Sequence, residues 1–419
     1  MHSVTTGEAT GGAMGGAPQL RRTLTLTNVV LYGIGVTVGA GIYVLIGAAA
    51  GRAGMHAPIA FLVAAALMAF SAYSFAELAS RMPVAASEAA YVEAGLGSRF
   101  VGAAVGLLVI AIAVVSAAAI SIGSAGYIRV FLPLPGPVVV AVVVLAMGAI
   151  AAWGIKESVV FAGVMTTIEL GGLAIIIAFG FAVEPGVVSR LPEAVPASGD
   201  AVAWVAVLSS GLLVVFAFVG FEGIVNVAEE VAEPVKTIPR AIFITLAVTT
   251  LLYMAVVWVA LLAVGPSELA ASKAPLALVF ERLTGGSPLV MSAIAIVATL
   301  NGIIVQIIMA SRVGYGMAGR GTLPGWLATV HPVTQTPLRA TMVATAIVLV
   351  LALAVPLEGL AEATSRLALV LFALVNLSLG LIRWRETAPP PGIFRAPAWA
   401  PWAGFVTTVG LLVADAVLV

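Results

Sequence analysis

Cysteine is absent from the 419 residues, which excludes a disulfide scaffold, a thiolate metal site and thiol catalysis. Charge is nearly as scarce. There are 19 Lys and Arg against 19 Asp and Glu, 9% of the chain, where a soluble domain carries about 25%. So few charges cannot solvate the surface of a 42.4 kDa globule, and that excludes a cytosolic enzyme and a disordered protein. A formal net charge of +0 offers no basic face to phosphates, so no nucleic acid partner is expected. The three histidines, His2, His56 and His331, fall in the tail and in loops. No HExxH and no GxxxxGK[ST] occurs. No catalytic residue, resident metal or cofactor is expected, and the chain is not read as an enzyme.

What is present is apolar length. Hydrophobic residues make up 62% of the chain, and a helix needs roughly 20 of them in a row to cross about 30 Å of hydrocarbon. Such runs occupy 23–51, 57–76, 100–128, 130–155, 158–183, 201–228, 241–267, 283–311, 340–357, 360–382 and 396–414. That predicts eleven transmembrane helices in an all-α integral membrane protein. Barrel strands would be half as long and alternate in polarity. The predicted partner is the lipid bilayer of the cytoplasmic membrane. With the N-terminus inside, 13 of the 19 basic residues face the cytoplasm, in keeping with the positive-inside rule. The C-terminus then lies outside. The first 20 or so residues have no signal-peptide pattern and read as a cytoplasmic tail.

Two spans carry glycine clusters. Span one has Gly33, Gly35, Gly39 and Gly41; span six has Gly220 and Gly223 within Phe216–Gly223. Glycine costs up to about 1 kcal/mol per helix position, so a helix opens most easily at such clusters. The two clusters lie about 180 residues apart, at corresponding places in two five-helix halves. Paired broken helices in an inverted repeat point to a substrate site at mid-membrane. The alternative is that the glycines only let helices pack closely.

The stretch Gly39-Ala40-Gly41-Ile42-Tyr43 resembles the "GSG/GAG-I-F" signature of amino acid permeases in the amino acid–polyamine–organocation superfamily. So do Phe218-Val219-Gly220-Phe221-Glu222 with the following Glu229-Glu230 and Pro234, then Ile238-Pro239-Arg240-Ala241, and the run from Asn301-Gly302 to Gln306–Arg312. The resemblance covers residues 20 to 385. It implies the five-plus-five inverted-repeat fold of the leucine transporter. The organisation is then a tail (1–22), a first repeat (23–183), a second repeat (201–385) and an extra span (396–419). Most members have twelve spans. The family's "P-x-S-G-G-x-Y" turn after span two is here Pro83 to Tyr91 with Ser87-Glu88-Ala89-Ala90 in its place.

The implied function is secondary active transport of amino acids by alternating access, driven by protons or by a counter-substrate rather than by sodium. An amino acid/amine antiporter or a polyamine carrier is the alternative within the class. A channel is the alternative outside it, but a charged or carbonyl-rich filter is not visible. If span one unwinds, the amides of Gly39, Ala40 and Gly41 form a helix N-terminus suited to a carboxylate. The carbonyls of Thr37, Phe216, Ala217 and Val219 could receive an ammonium. The resemblance makes Phe218 an aromatic lid over the substrate; otherwise it is a core aromatic. Gln306 either sets side-chain specificity or joins helices by a hydrogen bond.

Ionisable groups deep in a bilayer are candidates for function. Glu169 falls about 16 Å into span five, where proton-coupled relatives carry a Lys in place of a sodium ion. Three readings stay open: a protonated Glu169 bonded to Asn301, an ionised Glu169 that ligates a cation, or a neutral structural donor. Glu222 follows the span-six cluster. It is expected to gate, as in the similar arginine/agmatine antiporter, to cap exposed amides, or both. Glu229, Glu230 and Glu233 could form an inner gate with Lys236, Arg240 or Arg99, or lie in a solvated loop. Substrate identity and oligomeric state stay open.

Overall fold

The computed structural model describes residues 22–83, 87–154 and 159–418. The tail apart from Arg22, the centre of the Pro83–Tyr91 turn and Lys156 lie outside the described residues. Fourteen α-helices are defined in the described chain. The first seven are α1 Leu26–Ala53, α2 Ala57–Arg81, α3 Ser87–Leu96, α4 Arg99–Phe131, α5 Gly136–Trp153, α6 Val159–Val183 and α7 Ala201–Val215. Then come α8 Pro234–Ala263, α9 Pro266–Ala271, α10 Pro275–Thr284, α11 Pro288–Gly319, α12 Leu338–Ala354, α13 Leu357–Arg385 and α14 Ala400–Leu418. Among the described residues nine apolar helical stretches are long enough to cross a membrane, and Leu26–Val38 and Leu338–Ala354 are shorter apolar helices. Each of the eleven apolar runs coincides with one of these helices. α3, α9 and α10 are short connecting helices. The chain is a multi-pass, all-helical membrane protein.

The buried apolar residues form two large clusters, to both of which α1, α4, α7 and α11 contribute. One core holds Val38, Phe61, Met68, Phe75, Phe218 and Tyr253, from α1, α2, the segment after α7, and α8. The other holds Ala117, Ile120, Val144, Ile303, Ile307 and Val348, from α4, α5, α11 and α12. Small residues set the close approaches among α4, α5, α11 and α12: a Cβ on Gly106 would meet Met317, and one on Gly148 would meet Thr345. Lipid supplies no hydrophobic drive between helices, so such close packing is what holds them. α14 packs on α2 and α13, and its Val406, Val413 and Val417 stay exposed.

Span six breaks as expected. α7 ends at Val215, a single 3₁₀ turn covers Phe216–Phe218, Val219 is extended, and a second 3₁₀ stretch covers Phe221–Glu230. Gly220 sits at φ 131°, a conformation open to glycine at little cost.

Span one does not break, which corrects the expectation from its glycines. α1 is α-helical from Leu26 to Ala53. The physical reason is visible at the glycines themselves. A Cβ on Gly33 would collide with Ile224 and Thr245, one on Gly35 with Thr166, and one on Gly41 with the main chain of Ala217. Each glycine admits a neighbour, and an opened turn in apolar surroundings would leave backbone groups unpaired at several kcal/mol each. A helix penalty of about 1 kcal/mol per glycine is the smaller effect.

Candidate functional site

A cavity opens where α1, the span-six break, α4 and α11 meet. α1 contributes Gly35, Val36, Thr37 and Gly41, and the break in span six contributes Phe216 and Val219. Across from them stand Ser116 and Ile120 of α4, and Asn301, Gly302, Val305 and Gln306 of α11. About 20 Å³ is open to the centre of a water molecule. That holds one or two waters and is too small for an amino acid, so the cavity walls must move apart to admit one.

Six of the expected site residues therefore meet at one place: Thr37, Gly41, Phe216, Val219, Asn301 and Gln306. Gly39 and Ala40 lie in the helical backbone of α1. Ala217 packs its main chain against Gly41. Phe218 does not line the cavity. Its ring lies 6.4 Å from Phe61 and 5.3 Å from Tyr253, centroid to centroid, and all three side chains are fully buried.

Tyr253 was not anticipated. The Tyr253 hydroxyl lies 2.8 Å from the Thr37 carbonyl and 2.9 Å from the Ala217 carbonyl, a donor shared by α1 and the span-six break. A second tyrosine pair works the same way: Tyr127 donates to the Tyr43 carbonyl at 2.6 Å, and Tyr43 donates to the Glu169 carbonyl at 2.8 Å. These bonds fix α4, α1 and α6 to one another.

The Glu169 side chain is fully buried. Neither carboxyl oxygen has a hydrogen-bond partner among the described residues. Asn301, on the cavity wall, is its polar neighbour at longer range than a formed bond. Glu222 accepts a hydrogen bond from the Gly220 amide at 2.8 Å, which satisfies one group freed by the break. Beside it Glu88 of α3 accepts from Asn226 at 3.3 Å. Burial pushes the Glu88 carboxyl above the usual carboxylate range.

Of the expected gate groups, Glu233 meets Lys236 at 3.7 Å with both side chains exposed, and Arg99 meets Glu93 at 3.8 Å. The buried charge cluster lies elsewhere. Glu77, fully buried at the end of α2, accepts from Arg81 at 2.8 Å, from Arg383, and from the Ala396 amide at 2.7 Å. Arg81 also donates to Glu386 at 2.8 Å. This network joins α2, α13 and the strap that leads to α14.

Four cavity residues escaped the sequence reading: Val36 on α1, Ser116 and Ile120 on α4, and Val305 on α11. Ser116 and Ile120 stand i, i+4 on α4, and Asn301, Gly302, Val305 and Gln306 share the same spacing on α11. That periodicity was the available signal.

Residues 24–418 match the amino acid permease family, and the chain belongs to it. It is a membrane transporter of the amino acid–polyamine–organocation superfamily. An uncharacterized transporter of Mycobacterium tuberculosis is 34% identical over 369 residues, covering 87% of this chain and 81% of that protein. A branched-chain amino acid permease of Bacillus subtilis is 30% identical over 410 residues, covering 92% and 86%. A methylthioribose transporter of Bacillus subtilis is 28% identical over 407 residues, covering 90% and 84%.

Proposed function

We propose that this protein is a secondary active transporter that carries amino acids across the cytoplasmic membrane by alternating access. The observation that carries this reading is the cavity's position between α1 with the span-six break on one side and α4 with α11 on the other. Rocking of one wall against the other would open the cavity to each side in turn, as in carriers built from two five-helix repeats. The N-terminus would lie in the cytoplasm and the C-terminus outside.

The lining favours a zwitterion with an apolar side chain. Phe216, Ile120 and Val305 offer apolar contact, and none of the described lining residues is acidic. A polyamine would lack a counter-charge there. The branched-chain amino acid permease among the relatives agrees with that preference.

Coupling would run through protons or a counter-substrate rather than sodium. Glu169 is buried, unpartnered and next to Asn301 on the cavity wall. An ionised carboxylate there is costly without a partner, so the group would be protonated with one side open and deprotonated with the other.

The test is ligand-induced thermal stabilisation of the purified protein across the twenty amino acids. Apolar amino acids are expected to raise Tm, with polyamines silent. No shift across the whole panel would contradict the proposal.

A further inference from the structure

Helix α8 carries three hydroxyls on one stripe: Thr245, Thr249 and Tyr253, each four residues after the last. All three side chains are fully buried. The stripe starts one turn after Ala241, where the charge-free run of this span begins. It ends at Tyr253, which faces Glu169. Its lower end lies against α1, because a Cβ on Gly33 would collide with both the Thr245 hydroxyl and the Ile224 side chain.

The Thr245 and Thr249 hydroxyls have no hydrogen-bond partner among the described residues. A threonine inside a helix has a partner at hand, the carbonyl four residues back. Thr250, next to Thr249, donates to the Leu246 carbonyl at 2.7 Å. Thr299 and Thr364 do the same on α11 and α13, at 2.8 and 2.9 Å. The two threonines of the stripe point away from that bond, although a buried hydroxyl left unpaired costs about 1–3 kcal/mol. Valine would fill the same seam without that cost. What valine lacks is a group that both accepts and donates a proton. Successive rungs stand about 6 Å apart along the helix, and one water bonded to each at about 2.8 Å spans that gap.

We propose that Thr245 and Thr249 carry protons between the cytoplasm and Glu169, each through its hydroxyl and with one water between neighbouring rungs. The inference rests on the coupling role of Glu169 given above and deepens it. Only O–H bonds change: each oxygen accepts a proton on a lone pair and passes its own to the next, and the Glu169 carboxylate takes the last. Tyr253 heads the row. Its hydroxyl donates to the Thr37 and Ala217 carbonyls, and its oxygen keeps lone pairs to accept. The titratable groups facing Glu169 are Tyr43 of α1 and Tyr253, with Asn301 of α11 as polar neighbour. At the other end Thr245 and Ile224 meet at Gly33, two residues past the buried carboxylate of Glu222, which has Glu88 beside it.

The experiment places the full-length protein in liposomes and reads two fluxes of one radiolabelled amino acid: uptake on an imposed pH gradient, and exchange against unlabelled substrate inside. The probe is whichever of the twenty amino acids stabilises the wild type most, leucine being tried first. Thr245→Val and Thr249→Val keep the shape and remove the hydroxyl. Each is expected to slow pH-driven uptake by about tenfold or more and to leave exchange unchanged. Thr245→Ser and Thr249→Ser keep the hydroxyl and should restore pH-driven uptake. Thr250→Val, off the stripe, should leave both fluxes as they are.

Wild-type pH-driven uptake in both valine variants would overturn the proposal. So would an equal loss of both fluxes, or serine variants as slow as the valine ones, since either result makes the threonines structural. Should a valine variant fail to fold, alanine at the same position decides, because it also lacks the hydroxyl and adds no bulk. A wild type that exchanges substrate yet ignores the pH gradient would end the coupling role of Glu169, and this inference with it, while leaving the carrier reading in place.

Discussion

Glu222 turns back on its own chain: its Oε2 accepts the amide proton of Gly220, two residues earlier, at 2.8 Å. The contact repairs the span-six break from within. Gly220 takes the φ of 131° that makes the break, and the carboxylate satisfies the amide that the break exposes. Glu222→Gln keeps an acceptor at this place, whereas Glu222→Ala leaves the amide buried and unpaired at about 1–3 kcal/mol. Thermal unfolding is expected to rank the proteins wild type, Gln variant, Ala variant. An Ala variant as stable as wild type would show that the bond does not support the break.

Gly41→Val tests the contact between α1 and span six. The new side chain would run into the main chain of Ala217, where neither backbone can retreat cheaply. Overpacking of this kind costs about 1–3 kcal/mol. We expect a lowered Tm and loss of transport, with Gly41→Ala intermediate. Normal uptake by the Val variant would remove this contact from the working site.

The Glu77 cluster supports a stability prediction. Glu77 is fully buried and meets both Arg81 and Arg383. Removing one partner of a buried ion pair strands the other and costs about 3–5 kcal/mol. Glu77→Ala should therefore be far less stable than wild type, and Glu77→Gln should fall between them. Equal Tm values for Glu77→Ala and wild type would contradict the description of this network.

The same network gives a sign for pH. The hydrogen bond from Arg81, with the Arg81, Arg395 and Arg383 charges behind it, holds Glu386 below the usual carboxylate range. A depressed folded value means that the stabilisation is full above the unfolded value of about 4.3 and is lost as pH falls through the folded one. Glu386 is partly open to solvent, so the effect is at most about 1 kcal/mol. Glu386→Gln should lower Tm at pH 7 and match wild type in strong acid. A difference that grows on acidification would carry the wrong sign.

The sequence made the membrane class and all eleven apolar helices legible because charge-free length is a one-dimensional property. Helix ends were less legible: α8 starts at Pro234 and runs through Pro239, well before its charge-free run begins. A loop's charges do not end a helix that projects from the bilayer. The span-six break was readable, whereas the glycines of span one pointed to a break that α1 does not show, although both spans had glycine clusters. Gly220 has a positive φ, while Gly33, Gly35 and Gly41 make room for neighbours. Composition alone does not distinguish the two uses. Gln306 and Asn301 were legible as polar residues at depth. Tyr253 was not, because its role depends on two carbonyls 216 and 36 residues away in the chain.

Coupling through Glu169 can be tested directly on transport itself. Glu169 lies among Tyr43 of α1 and Tyr253 of α8, with Asn301 of α11 on the cavity side. Glu169→Gln keeps its shape and cannot ionise. The most direct measurement is uptake of radiolabelled apolar amino acids into liposomes containing the purified protein, with an imposed pH gradient or with unlabelled amino acid inside. Wild type is expected to accumulate substrate under either condition without sodium, and Glu169→Gln to exchange substrate without accumulating it on the pH gradient. Uptake that requires sodium and ignores pH, or a Glu169→Gln protein with the wild-type pH profile, would contradict that coupling.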